Sequence, residues 1–517
     1  MFKAAPGTSR RAEALAWSAV VLLGLMSLPQ PFGWDQALFA MGARALHHGA
    51  ALYRDFWDVK QPGIYLFYWL GGALFGFHEG GVHLCELLWN LGLAALAVAA
   101  VRRESRTGAA APAAALLTAG FGYAVMGDWH LTQVESLAGF PLLACAVAAN
   151  AAARSGTRAP IPAVWSGLAG GFALLFKLAF LPIVGAFWVT ALVALLRDRS
   201  VRRGRGAASA AAGVVVGLAI PWLAVVVWLS ARGTLAEAWW IWIVYPREVM
   251  ARMTGLRISQ LADGLAWFAV HWAPVLALGI VGLVRGARRG SLLAVQMGWW
   301  VLVGLGTILV QRWSYWQYQF VLLAVPAGVL AALGVGELHA ALQPWLNGPD
   351  RPARRVAFGA GLALLFALPL AAVGVRVLAL ARHGFALTPE GRIGFQELVS
   401  HGNSQKLIGE EVAFLKEPGA LPGSVYVLGN PLYNWISGRP SGAPRHGGVL
   451  IGAATREQWE RTAAFLQRHP PAYVVFERGY FENGRARPEA AGFFEWLDHS
   501  YVPERENEHA TWWVRRP

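Results

Sequence analysis

Long apolar runs fill the first three quarters of the chain and are separated by polar stretches rich in arginine. A helix that crosses a bilayer needs about 20 mostly apolar residues. Runs of that kind are centred near residues 23, 91, 117, 142, 168, 187, 218, 273, 301, 327 and 368, which predicts eleven spans. An odd number puts the two ends of this part on opposite sides of the membrane. The first run follows Lys3, Arg10 and Arg11 as a secretory signal would, but no small-x-small cleavage site comes before Pro29 and Pro31, so it reads as an uncleaved span. Two runs meet at Lys177 with almost no loop, in Ala173-Leu-Leu-Phe-Lys-Leu-Ala-Phe-Leu-Pro182. Merging them would leave ten spans and break the charge pattern downstream.

Two stretches depart from the pattern of helices and short loops. Gly33 to Gly80 is rich in aromatic and charged residues, and Arg232 to Leu261 contains Trp239-Trp240-Ile-Trp242-Ile-Val-Tyr245-Pro-Arg247-Glu248. Trp and Tyr at this density suit helices lying at the membrane surface. Long loops beside a helical core are also where function tends to be placed. From residue 382 the periodicity changes to a helix near 405–417, a strand at 424–429, a helix at 455–469, a strand at 472–476 and a late strand at 511–514. The expected fold is therefore a polytopic α-helical membrane core over 1–381, with its first outer loop at 33–80, followed by a soluble extracytoplasmic α/β domain over 382–517. No internal repeat stands out, which counts against the repeat-built transporter folds.

Composition and charge sharpen this reading. The chain is 56% hydrophobic and 14% charged, more apolar side chain than a soluble core buries, which excludes an ordinary cytosolic enzyme. Residues 1–381 hold 29 Lys and Arg against 15 Asp and Glu, whereas residues 382–517 hold 15 of each, so the whole net charge of +14 lies in the apolar part. With the N-terminus cytoplasmic, 19 of those 29 basic residues fall in inner segments, as the positive-inside rule requires. Most of the acids fall outside. Basic residues divided between spans are not the one-sided patch that binds nucleic acid, so no such partner is expected. Cys85 and Cys145 lie in or beside spans and read as buried small hydrophobes, without a disulfide framework or a zinc site.

Candidate chemistry collects in the outer segments. Asp35 stands at the start of an amphipathic helix running to about His48, where it serves either as an N-cap or as a general base beside apolar surface that raises its pKa. Asp58 and Lys60 precede Pro62, and are either a surface ion pair or, for Lys60, a contact to an anionic head group. Asp128 and His130 lie in the second outer loop, and Glu135 begins the following span, where a helix dipole also favours it. Asp35, Asp128 and Glu135 could converge on one divalent cation, a question the sequence leaves open. His47 and His48 are adjacent and lack ligand spacing. There is no Walker loop and no GxGxxG.

These residues carry a family resemblance. The stretch from Asp35 through His48-Gly-Ala-Ala-Leu-Tyr53, Asp58-Val-Lys60-Gln-Pro62 and Leu74-Phe75-Gly76 resembles the first outer loop of the GT-C membrane glycosyltransferases, above all the branch of protein O-mannosyltransferases and lipid A aminoarabinose transferases. Thr132-Gln-Val-Glu135-Ser-Leu, Gly170-Gly-Phe-Ala-Leu-Leu-Phe-Lys177, Tyr315-Trp-Gln-Tyr318-Gln-Phe with Pro326, and Val425-Tyr-Val-Leu-Gly-Asn-Pro431-Leu-Tyr433 extend the likeness over nearly the whole chain. It implies a multi-pass enzyme of the bacterial inner membrane that moves a hexosyl or pentosyl group from a polyprenyl-phosphate donor to a lipid, glycan or protein acceptor on the outer face, with inversion. Asp35 would be the general base, Asp128 would assist, and Lys60 and Arg312 would stabilise the departing phosphate. Asp58, Glu135, His130, Tyr315 and Tyr318 would bind substrate. The chain departs from the mannosyltransferases at Asp35-Gln36, where they commonly have an acidic pair, and from the aminoarabinose enzymes at Val59-Lys60-Gln61-Pro62, where they show Glu-Lys-Pro-Pro. The sugar therefore stays open. The alternative from another class is a transporter or flippase of a lipid-linked substrate, which calls for ionisable groups at mid-span.

Overall fold

A computed structural model of the chain describes residues 10–105, 107–155, 159–197, 205–252, 257–312, 315–347, 351–448 and 454–517. Each of the eleven apolar centres falls on helix or at a break between two helices. Among the described residues, six helices are long and apolar enough to cross a membrane: Glu79–Glu104, Val134–Arg154, Leu178–Arg197, Gly206–Ala231, Leu292–Val310 and Gln317–Leu346. Two further pairs, Ile258–His271 with Ala273–Arg288 and Pro352–Leu365 with Ala367–Arg382, are bent by 79° and 68°, so the number reaches eight when each pair is one span. The expected count of eleven is thus not reproduced helix for helix. Pro274 explains one bend, because it has no N–H for the preceding turn and its ring crowds that turn's carbonyl. Pro62–Phe75, Ala110–Val125 and Pro160–Phe176 are shorter apolar helices.

The two runs that meet at Lys177 are separate helices. Pro160–Phe176 ends where Lys177 turns extended, with φ −162° and ψ 119°, and a helix resumes at Leu181 after one short turn. Pro160–Phe176 crosses the Arg205–Ala231 helix closely because both present glycine. A Cβ on Gly167 would lie 2.1 Å from the Val214 carbonyl oxygen, and one on Gly217 would lie 2.0 Å from that of Val164.

Ion pairs gather the helix ends by face. Arg102 reaches Glu13 at 2.6 Å, Arg154 pairs with Glu104, Arg289 pairs with Glu337, and Thr107 donates to the Gly336 carbonyl at 3.2 Å. The basic ends that carry Arg102 and Arg154 are thereby joined, and the one that carries Arg289 meets the helix end that Thr107 also reaches. The opposite ends meet residues 33–80 and the C-terminal part, as the contacts below show.

The C-terminal sheet has strands β1 Val425–Leu428, β2 Tyr473–Glu477, β3 Tyr501–Glu506 and β4 Ala510–Arg515 in the order β1-β2-β4-β3, with β1 and β2 parallel and the other pairs antiparallel. The crossover from β1 to β2 uses Arg456–Arg468, whose start is fixed by Thr455 and Gln458 in a reciprocal capping box. Strand β3 was not expected from the pattern. It is an exposed edge, Tyr-Val-Pro-Glu-Arg-Glu, with no alternation of apolar residues to announce it. This part also does not stand apart from the helices. Val412, Phe414, Val425, Leu432 and Tyr433 join the same buried cluster as Phe32, Leu52 and Trp57.

Candidate active site

Helix Trp34–His47 starts from Gly33 in extended conformation, and Gly33 is its N-cap. The N-cap reading of Asp35 is therefore corrected. Asp35 is the second helical residue and its carboxylate is buried, near the positive end of the helix dipole. Its neighbour Gln36 donates to the carbonyls of Asp128 at 2.6 Å and Leu131 at 2.9 Å, which ties the segment at 33–80 to the one at 128–131.

The surface-pair reading of Asp58 and Lys60 is also corrected. Asp58 is 2% exposed and accepts hydrogen bonds from the Tyr65 hydroxyl and from the Val59 N–H at 2.7 Å. Burial pushes its carboxyl above the usual carboxylate range, against the opposing pull of Lys60. Lys60 is half-buried and faces three carboxylates, Asp35, Asp58 and Glu135. Burial disfavours its charge, but the three acids outweigh that and hold the ammonium above the ordinary lysine range. Its carbonyl accepts from Tyr53 at 2.9 Å, and the Trp242 indole donates to the Tyr53 hydroxyl at 3.1 Å. Trp242 and Tyr245, expected at the membrane surface, thus pack on this loop, although Trp239 stays 61% exposed.

Glu135 follows Gln133, the N-cap of its helix, and does not cap it. It instead accepts from Lys177 at 2.8 Å, and the same ammonium donates to Gln311 at 2.7 Å. Tyr318 completes the group, with its hydroxyl engaging Asp35. The structure therefore brings together Asp35, Asp58, Lys60, Glu135 and Tyr318 of the expected residues. Lys177, Gln311, Tyr53 and Tyr65 join them without having been expected. For Lys177 a signal existed, because a lysine between two apolar runs is costly unless paired.

Other expected residues lie elsewhere. Asp128 accepts the His401 N–H at 2.8 Å, and burial raises its carboxyl against that bond. His130 stacks on Trp267 at 4.2 Å and 6°, with both ring nitrogens buried and without a hydrogen bond among the described residues, and burial lowers its pKa to about 3. Tyr315 is turned away from the acids and donates to the Leu309 carbonyl at 3.1 Å. Arg312 is exposed, in a left-handed conformation with φ 47°, next to Gln311. Among the described residues no three His, Cys, Asp or Glu side chains are grouped as a metal site, so Asp35, Asp128 and Glu135 do not form one.

A buried carboxylate beside an ammonium and a phenol can take a proton from a hydroxyl or amine. Two ammonium groups on one carboxylate can also stabilise developing negative charge.

No protein-family model matches the chain, and no curated protein does. Among solved structures, ArnT from Cupriavidus metallidurans in the apo state superposes with a TM-score of 0.59 at 15% identity, covering 97% of each chain. The same protein bound to undecaprenyl phosphate gives 0.59 at 16% identity, covering 98% of this chain and 97% of that one. The archaeal oligosaccharyltransferase AglB from Archaeoglobus fulgidus, in complex with an inhibitory peptide and a dolichol-phosphate, gives 0.46 at 15% identity over 95% of this chain and 73% of its own. The chain has the fold of ArnT over 97% of its length, and its described residues include six to eight helices or bent helix pairs long and apolar enough to cross a membrane.

Proposed function

We propose that this chain of GT-C fold is a glycosyltransferase that moves a sugar from a polyprenyl-phosphate donor to a lipid, glycan or protein acceptor. The observation that carries the reading is the enclosed group in which the Asp35 carboxylate faces both Lys60 and the Tyr318 hydroxyl. The match to a fold solved with undecaprenyl phosphate bound supports the donor class.

In this reading Asp35 removes the proton from the acceptor hydroxyl or amine, and the freed lone pair attacks the anomeric carbon. The bond to the carrier phosphate breaks on the opposite side, so the product is inverted. Lys60 neutralises the departing phosphate, with Lys177, on the Glu135 carboxylate that Lys60 also faces, as a further cation. Asp58 and Glu135 keep Lys60 charged and placed. Positioning and charge stabilisation supply most of the rate. The basic face formed by Arg102, Arg154 and Arg289 is cytoplasmic, the site is on the outer face of a bacterial inner membrane, and residues 382–517 form an extracytoplasmic domain. Asp128 acts from the second loop, through the loop's hold on Gln36.

The test is sugar transfer by the purified protein in detergent from a panel of undecaprenyl-phosphate sugars, with a chelator arm for metal dependence. Transfer from at least one donor supports the class. A folded protein inactive with every donor favours a transporter of a lipid-linked substrate.

A further inference from the structure

The segment that bears Asp58 and Lys60 has little regular structure of its own. Tyr53 is left-handed, with φ 76°, and from there to Gln61 the chain makes only turns and isolated bridges. Contacts from outside the segment must therefore fix it, main-chain bonds to residues 444–445 among them. On one side Tyr65 holds the Asp58 carboxylate. On the other, Trp57 is gripped by the C-terminal domain. The Arg445 guanidinium lies 3.7 Å from the centroid of the Trp57 ring, and the Trp57 N–H donates to the Pro444 carbonyl at 2.9 Å. The Trp57 indole donates to Glu237 at 3.0 Å, and Tyr245 meets the ring edge-on at 5.7 Å. Trp57 is 4% exposed, so the stack is desolvated, the condition in which a cation over an aromatic face is strongest.

The same stretch of the domain reaches Asp35's neighbour. His446 meets Trp34 edge-on at 6.5 Å, and a Cβ on Gly448 would lie 2.8 Å from the Trp34 ring. His401 bonds Asp128 directly. Three acid-bearing segments are thus touched by the C-terminal domain at the acid or at the residue before it. Other docking contacts fall on residues outside the site, as where Trp435 donates to Glu79 at 2.7 Å and Arg44 stacks on Trp435 at 4.6 Å.

We propose that Arg445 is a positioning residue, which sets Asp58 and Lys60 by clamping Trp57 against Glu237, so that the C-terminal domain completes the catalytic loop. This rests on the glycosyl-transfer reading for its effect on rate. A misplacement of about 1 Å in a positioning group costs on the order of 100-fold.

The experiment compares Arg445→Ala, Arg445→Lys and Trp435→Phe with wild type in the full chain. Steady-state transfer is measured from the undecaprenyl-phosphate sugar that wild type uses best, and amide hydrogen exchange is followed over residues 53–61 without ligand. The expected result is a fall in kcat of about 10- to 100-fold for Arg445→Ala with KM for the donor within about twofold, partial recovery in Arg445→Lys, and unchanged kcat in Trp435→Phe. Exchange over 53–61 rises in Arg445→Ala alone. Equal losses of kcat in Arg445→Ala and Trp435→Phe, or unchanged exchange in Arg445→Ala, would overturn the proposal. If wild type transfers none of the sugars, the glycosyl-transfer reading fails by itself and the exchange measurement still decides whether Arg445 holds the loop.

Discussion

The Lys177 ammonium lies 2.8 Å from a Glu135 carboxylate oxygen, joining the break between two apolar helices to the start of another. Lys60 draws on the same carboxylate, so Glu135 sits between two cations. Removing one partner of an enclosed pair leaves the other charge uncompensated. Lys177→Met is expected to cost about 1–3 kcal/mol, discounted because the ammonium keeps some water. Glu135→Gln should cost a similar amount, and the double variant less than their sum. Thermal unfolding of the four proteins in one detergent checks this, and full additivity would count against the pair.

His130 gives a pH dependence with a definite sign. Its folded pKa of about 3 lies below the ordinary value near 6.5, so the folded state binds fewer protons than the unfolded state between these limits. Stability from this group is intact above pH 6.5 and falls as pH drops toward 3. From pH 7 to pH 5 the loss is about 2 kcal/mol. His446, also lowered to about 3 by burial, adds in the same direction. His130→Phe keeps a ring against Trp267 and removes the proton uptake, so its unfolding temperature should change less between pH 7 and pH 5 than that of wild type. An identical pH slope would contradict the assignment.

The close crossing at Gly167 and Gly217 predicts a steric effect. Gly167→Val places atoms where the Val214 carbonyl already stands, and helices forced apart lose packing along their length. The expected cost is about 3 kcal/mol, seen as a lower unfolding temperature and a lower yield of monodisperse protein. Gly185→Ala, at a glycine with open space around its Cβ position, should be neutral in the same assay.

Thr455 caps the crossover helix of the C-terminal sheet through its hydroxyl to the Gln458 N–H at 3.3 Å. Thr455→Ala is expected to destabilise by about 1 kcal/mol and to leave the loop at Asp58 unaffected, because the cap is on the crossover helix whereas Trp57 is held by Pro444 and Arg445. Denaturation followed at the C-terminal domain checks the cost.

What the sequence made legible follows from what has a period or a charge. The apolar runs located the helices, and strands β1, β2 and β4 showed as Val-, Tyr- and Trp-rich runs. The bends at Trp272 and Phe366 were not legible, since hydropathy averages over a break that one or two residues make. Asp35, Asp58 and Lys60 were legible as charged residues of a loop rich in aromatic and charged side chains. Their surroundings were not, because the groups that pack on the adjoining Trp57 are Glu237, Tyr245 and Arg445, far away in the chain. Tyr315 and Tyr318 are three residues apart and looked equivalent, yet one hydroxyl meets Asp35 and the other closes on Leu309. Spacing alone does not separate them where the helix only begins at Gln317.

In the proposed transfer Asp35 is the base on which the rate depends. The most direct measurement is the single-turnover rate of sugar transfer by Asp35→Asn against wild type, with undecaprenyl-phosphate binding measured on both. The expected rate is lower by at least about 100-fold with carrier binding within a few-fold of wild type, since the amide keeps the shape and loses the proton acceptor. Transfer by Asp35→Asn at the wild-type rate would contradict it.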